Sequence, residues 1–222
     1  MTASLLHIPQ LLTAQELATV QALLDQAEWQ ADSLHGQTLP EDIAAARQCG
    51  AIVGTALGRN ARFMSAALPA HIAMPQFIRH GTGQTPAAWI DGALRHSAGQ
   101  RVRNDLSATL FLTPPEAYDG GELTFAQGSI NHRIRLAAGD LLLYPAHAIH
   151  AVAPVTRGGC LASALWVQSI IRDAQQRQML YDLDQTIQGL GQGLGQGSGG
   201  APEGLVALTG HYHNLVRMWA EG

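Results

Sequence analysis

Leu106-Ser107-Ala108-Thr109-Leu110-Phe111-Leu112 opens a succession of short β-like runs that continues through Glu122 to Phe125, His132 to Leu136, Asp140 to Tyr144, Ala148 to Val152 and Leu161 to Ile171. Turn residues separate them: Pro114-Pro115, Tyr118-Asp119-Gly120-Gly121, Ala138-Gly139 and Arg157-Gly158-Gly159. Runs of this length between such breakers are strands, because β-branched and apolar residues fit a pleated sheet while Gly and Pro interrupt it. Together with the strand-like stretch Phe77 to His80, they predict a jelly-roll core of two sheets, a double-stranded β-helix.

The period is helical on either side of this core, giving an α+β fold with three regions. Residues 1–76 form an N-terminal flank packed on the barrel, 77–172 the core, and 173–222 a C-terminal helical extension. Thr13-Ala14-Gln15-Glu16 fits a capping box, and Leu17, Val20, Leu23 and Leu24 place a first helix over about 13–27. A second helical stretch, roughly 40–68, starts at Pro40-Glu41-Asp42 and is weakened by Gly50, Gly54 and Gly58. In the extension Met179, Leu180, Leu183 and Ile187 share an apolar face, and a Gly-rich linker follows over 189–200. Pro202 opens a last helix with the stripe Leu205, Leu208, Tyr212, Leu215 and Trp219, a face for the barrel or for a second copy in a homodimer.

Composition excludes several classes of function. All thirteen basic residues are arginine and the formal charge is −4, which argues against a nucleic-acid footprint and removes every lysine Schiff-base mechanism. Cys49 and Cys160 are the two cysteines, so no disulfide framework is expected and a reducing cytoplasm is compatible. No basic, apolar leader opens the chain, and no apolar run reaches the ~18 residues that cross a bilayer. A cytoplasmic protein without a membrane or nucleic-acid partner is the expectation.

Chemistry concentrates in Trp89-Ile90-Asp91-Gly92-Ala93 and in His150. On a strand, residues i and i+2 share a face, so positions 89 and 91 can both meet a group that His150 approaches from an opposing strand. These residues belong to a larger pattern. Asp91-Gly92-Ala93, Asn104 to Leu112, Tyr118 to Leu123, Gly139 to Pro145, His150, Pro154 to Gly158, Trp166 to Asp173 and His211 to Leu215 resemble the PKHD-type hydroxylases, a group of prolyl-hydroxylase-like Fe(II)/2-oxoglutarate dioxygenases. The resemblance implies Fe(II) and 2-oxoglutarate as cofactors, and a small-molecule or peptide substrate that the sequence does not name.

In that family a His-x-Asp pair and a later histidine bind iron, and an arginine ten residues beyond that histidine pairs with 2-oxoglutarate. Carried over by position, the metal ligands are Asp91 and His150, while Trp89 stands at the first histidine and Cys160 at the arginine. None of the ten histidines is followed two residues later by Asp or Glu, so a register shift does not restore the motif. Indole nitrogen is a donor without a free lone pair, and two protein ligands hold an ion weakly. A thiol also lacks the charged fork with which arginine grips a carboxylate.

Several alternatives stay open on these residues. His147 is a candidate substitute ligand, although spacing of three near a strand sets it opposite His150. Arg157 is the nearest replacement cation for the cosubstrate, or an exposed loop charge. His80 can line the same pocket, and His96 and His132 have no stronger claim. Trp89 either fills the vacated metal position or binds substrate, and Asp91 then needs a new hydrogen-bond partner or a change of protonation. Three functions compete: a dioxygenase with a modified site, a non-catalytic binding protein on the same fold, and a barrel using Asp91 and His150 with another divalent metal.

Overall fold

The computed structural model describes residues 5–32, 36–83, 87–97, 99–127, 130–193 and 203–221. Among them, the main sheet comprises β1 (Leu6–Ile8), β2 (Gln30–Asp32), β3 (Gly36–Thr38), β4 (Pro69–Ile72), β5 (Gln76–His80), β8 (Leu106–Phe111), β11 (Leu141–Pro145) and β13 (Cys160–Ser169). Its order is β1-β11-β8-β13-β5-β3-β2, with β4 also on β13. A smaller sheet, β10-β9-β12, contains β9 (Leu123–Gln127), β10 (Ile130–Ile134) and β12 (His150–Val152). The strands β6 (Leu94–Ser97) and β7 (Gln100–Arg103) form a separate hairpin. All the described strand pairings are antiparallel, as a jelly roll requires.

Strands β8 and β11 of the main sheet are buried on both faces, which explains why β11 reads as the unbroken apolar run Leu141-Leu142-Leu143-Tyr144. Alternate residues divide between two cores. Leu106, Ala108, Leu110, Leu141, Leu143, Leu165 and Val167 face the helices, packing with Val20, Leu24, Val53 and Phe63. Phe111, Leu142 and Tyr144 point the other way and meet Phe125 and Leu123 of the smaller sheet. The cavity described below opens within this second layer.

The helices follow the sequence with shifted ends. Helix α1 (Ala14–Asp25) begins at the expected capping box, with Thr13 and Glu16 satisfying each other's backbone N–H groups. The second stretch is two helices, α2 (Ala44–Arg59) and α3 (Ala61–Ala67). The break falls at Asn60, whose side chain caps Phe63 N–H at 2.9 Å, while α2 runs through Gly50, Gly54 and Gly58. Gly50 has a packing reason, because a Cβ there would sit 3.1 Å from the sulfur of Met74.

The N-terminal region contributes more than helices, since β1–β4 all enter the main sheet. In the extension, α4 (Ala174–Gly193) continues into the segment read as a linker, and residues 194–202, including Pro202, lie outside the described residues. Leu180 is buried as expected, but Met179 is 59% exposed, and the buried residue beside Leu180 is Arg177. Its guanidinium donates to the carbonyls of Ile171 and Arg172 at 2.7 and 2.8 Å, so burial costs it no hydrogen bonds. Helix α5 (Glu203–Trp219) packs on α4, and the expected stripe is half-buried. No helix among the described residues is long and apolar enough to cross a membrane.

Candidate functional site

Trp89 lies beside β12, where it forms an isolated antiparallel bridge with His150. The segment 89–91 is therefore a hydrogen-bonded neighbour of the histidine strand rather than an opposing one. The expected i, i+2 geometry holds: Trp89 and Asp91 both turn toward His150. The indole and imidazole centroids are 4.7 Å apart, and Asp91 Oδ2 is 3.8 Å from His150 Nε2. His150 is only 3% exposed, and its Nδ1 donates to the carbonyl of Ala148 at 2.9 Å. A carbonyl only accepts, so the proton of a neutral ring sits on Nδ1 and the Nε2 lone pair faces Asp91.

Asp91 has a hydrogen-bond partner from β8. Ser107 Oγ donates to its Oδ2 at 2.6 Å, within the range of a charge-assisted bond. Two residues along the same face, Thr109 Oγ1 and Tyr144 Oη share a hydrogen bond at 3.2 Å. Burial and the nearby Asp91 charge push the Tyr144 phenol up, so it remains protonated. Tyr144 and Phe125 complete the surround of His150, with centroids 5.2 and 5.8 Å away.

Trp89, Asp91, Ser107, Thr109, Tyr144 and His150 line a cavity of about 60 Å³, whose wall also includes Trp166, His80, Cys160 and Tyr118. His80 and Cys160 are register partners on β5 and β13, and both are buried. Burial pushes the Cys160 thiol up to about 11, the behaviour of a packed thiol rather than a nucleophile. Gly121 is required beside it. At φ +67°, a Cβ there would come within 2.9 Å of the Tyr118 ring and 3.2 Å of Cys160 Sγ.

The remaining candidates lie elsewhere. Arg157 is bound to Asp119 at 2.6 Å, its side chain 59% exposed, and it is not among the cavity-lining residues. The reason is the turn it belongs to: Asp119 and Arg157 form a backbone bridge, and their side chains close over it. His147 and His96 are exposed, His132 is half-buried, and none of the three lines the cavity.

The sequence reading missed Ser107, Thr109, Tyr144 and Trp166, although the polar residues at alternate positions of Leu106 to Phe111 carried a signal for the first two. It also missed Arg95, whose guanidinium lies 3.2 Å over the ring of Trp166. Burial lowers the pKa of Arg95, and the charges of Glu41 and Asp91 oppose that shift.

The fold is that of a double-stranded β-helix oxygenase barrel. Solved structures agree: a Pseudomonas putida prolyl-4-hydroxylase matches with a TM-score of 0.52 at 19% identity, covering 76% of this chain and 94% of that one. HygX from Streptomyces hygroscopicus matches with a TM-score of 0.55 at 14% identity, covering 75% and 84%. Residues 75–168 match the 2OG-Fe(II) oxygenase superfamily, and 173–221 match the PKHD-type hydroxylase C-terminal domain. PKHD-type hydroxylases of Stenotrophomonas maltophilia and Burkholderia thailandensis are 42% and 44% identical, each covering 98% of this chain and 99% of the relative. The chain belongs to the PKHD-type hydroxylase family.

The donor set does not fit a ferrous ion held by two histidines and a carboxylate. Among the described residues no group of three or more His, Cys, Asp or Glu side chains is placed to hold a metal. Nor does the wall fit a dicarboxylate cosubstrate, because no arginine lines the cavity among those residues.

Proposed function

We propose that this PKHD-family chain keeps the oxygenase barrel as a small-molecule binding module and does not carry out ordinary Fe(II)- and 2-oxoglutarate-driven hydroxylation. One observation carries the reading: the Trp89 ring stands 4.7 Å from His150, beside Asp91, at the motif position where the family's first histidine would ligate iron. A ring that can only donate leaves the metal two side-chain ligands, and affinity depends on ligand number and geometry.

Cys160 supports the same conclusion. Losing the guanidinium partner of a buried carboxylate costs on the order of 3 kcal/mol, more than a hundredfold in affinity for 2-oxoglutarate. The test is succinate formation by purified protein supplied with Fe(II), ascorbate and 2-oxoglutarate, alongside metal analysis. Background succinate and substoichiometric iron are expected. Iron-dependent turnover, or one tightly held Fe(II) per chain, would overturn the proposal.

A further inference from the structure

Asp91 Oδ2 and His150 Nε2 face one another across 3.8 Å at the cavity wall, and an imidazole whose one proton is committed through Nδ1 to the Ala148 carbonyl presents Nε2 as an acceptor. A nitrogen donor placed ~2.9 Å from both atoms satisfies each, with modestly bent bonds. Asp91 has capacity for it, since Ser107 supplies one hydrogen bond and a carboxylate offers about four acceptor sites.

The walls specify the donor further. Among the described residues that line the cavity, Asp91 is the one carboxylate, and neither arginine nor lysine accompanies it. Trp89 and Tyr144 flank His150 at 4.7 and 5.2 Å, presenting aromatic surface to anything seated at the gap. Negative charge beside aromatic faces attracts organic cations. Trp166, another wall residue, already carries the Arg95 guanidinium over its ring at 3.2 Å. Arg95 also feels the Asp91 charge, but it is not among the cavity-lining residues; its guanidinium is stacked on Trp166, with Glu41 at 3.9 Å.

We propose that the cavity binds a primary organic ammonium, its N–H groups bridging Asp91 Oδ2 and His150 Nε2 and its carbon chain lying along Trp89 and Tyr144. The inference rests on the reading that no iron sits between these side chains. It reverses the charge of the ligand, from a dicarboxylate to a cation.

Calorimetric titration of the EDTA-treated full chain tests this, with n-butylammonium, 1-butanol, tetramethylammonium and 2-oxoglutarate as probes. Saturable binding of n-butylammonium is expected, with each of the other three at least tenfold weaker. Tetramethylammonium cannot donate N–H bonds, and 1-butanol lacks the charge. Asp91→Asn, checked for native circular dichroism, should lose at least tenfold. In wild-type protein n-butylammonium should also perturb tryptophan fluorescence, a readout that does not depend on a variant folding.

Equal binding of 1-butanol, tetramethylammonium or 2-oxoglutarate, or no binding of n-butylammonium, would overturn the proposal. The succinate assay is independent of these titrations. Turnover with iron would remove the functional reading while amine binding to EDTA-treated protein stood, and absent turnover without amine binding would do the reverse.

Discussion

Trp89 and His150 are joined through their main chains: Trp89 N–H donates to the His150 carbonyl at 2.9 Å, and His150 N–H returns the bond at 3.0 Å. The contact between the two rings is thus set by backbone pairing, which any non-proline residue at position 89 preserves. Trp89→His should place an imidazole where the indole now lies. With Cys160→Arg added, the double variant should take up about one Fe(II) per chain and bind 2-oxoglutarate, by the ligand logic of a facial triad. Metal analysis and titration check this. A folded double variant that binds neither would show that the positions were wrongly transferred.

Ser107→Ala isolates the hydrogen bond that holds Asp91. Ser107 is buried and donates to the carboxylate at 2.6 Å, so the alanine leaves that oxygen unsatisfied. Loss of a bond to a charged group costs about 1.5–3 kcal/mol, less if water enters the cavity. Urea denaturation should show a lowered midpoint with an unchanged slope. A loss near zero would mean that Asp91 is supported without Ser107.

Much of this architecture was legible because its signals are local and repetitive. The Thr13 box gave the start of α1, and the turn glycines bounded the strands from Leu106 onward. Position 89 was legible because strand alternation ties it to 91 and, through the motif, to His150. Other features depended on distant partners. The strand β3 pairs with β5 across some forty residues, and Gln37 and Thr38 carry no apolar alternation of their own. The β6–β7 hairpin is rich in arginine and polar residues, which masks its β character. Arg177 carries no local signal for burial, which depends on the carbonyls of Ile171 and Arg172 that accept its hydrogen bonds. The commitment of Arg157 to Asp119 likewise depends on a pairing thirty-eight residues apart.

Arg103 ties the C-terminal end of the chain to the barrel. Its guanidinium holds Asp105 at 2.8 and 3.0 Å and Glu221 at 2.8 Å. Asp105 is the buried partner, its side chain 8% exposed, while Glu221 is at 46%. Arg103→Met should therefore cost about 2–3 kcal/mol, below the full cost of stripping a buried pair because Arg103 itself reaches solvent. Glu221→Ala should cost less than about 1 kcal/mol, as an exposed pair does. Chemical denaturation of both variants measures the contrast, and equal losses would contradict this division.

Neither thiol should react in the native state at mild pH. Burial pushes both Cys49 and Cys160 up to about 11, so the thiolate is a small minority at pH 8. Labelling with Ellman's reagent should be slow in buffer and reach two thiols per chain in denaturant. If n-butylammonium occupies the cavity, it should slow Cys160 further and leave Cys49 unchanged, because only Cys160 lines that cavity. Rapid native labelling of Cys160 would place it in a more open environment.

Acid stability offers a further check, at the junction of α1 and α2. Hydrogen bonds from Arg59, then those from Thr13, hold the Glu16 carboxyl down to about 2 from its ordinary 4.5, against an opposing effect of burial. A carboxyl whose folded value lies below its unfolded value stabilises the fold fully above the unfolded value, and that contribution drains away as pH falls through the folded one. Wild-type protein should accordingly be more stable than Glu16→Gln at pH 7, with the difference shrinking from about pH 4.5 and vanishing near pH 2. Because Glu16 and Arg59 are both partly solvated, added salt should narrow the gap at neutral pH. Melting temperatures of the two proteins across this range decide the matter. A difference independent of pH would mean that Glu16 acts through helix capping alone, without its charge.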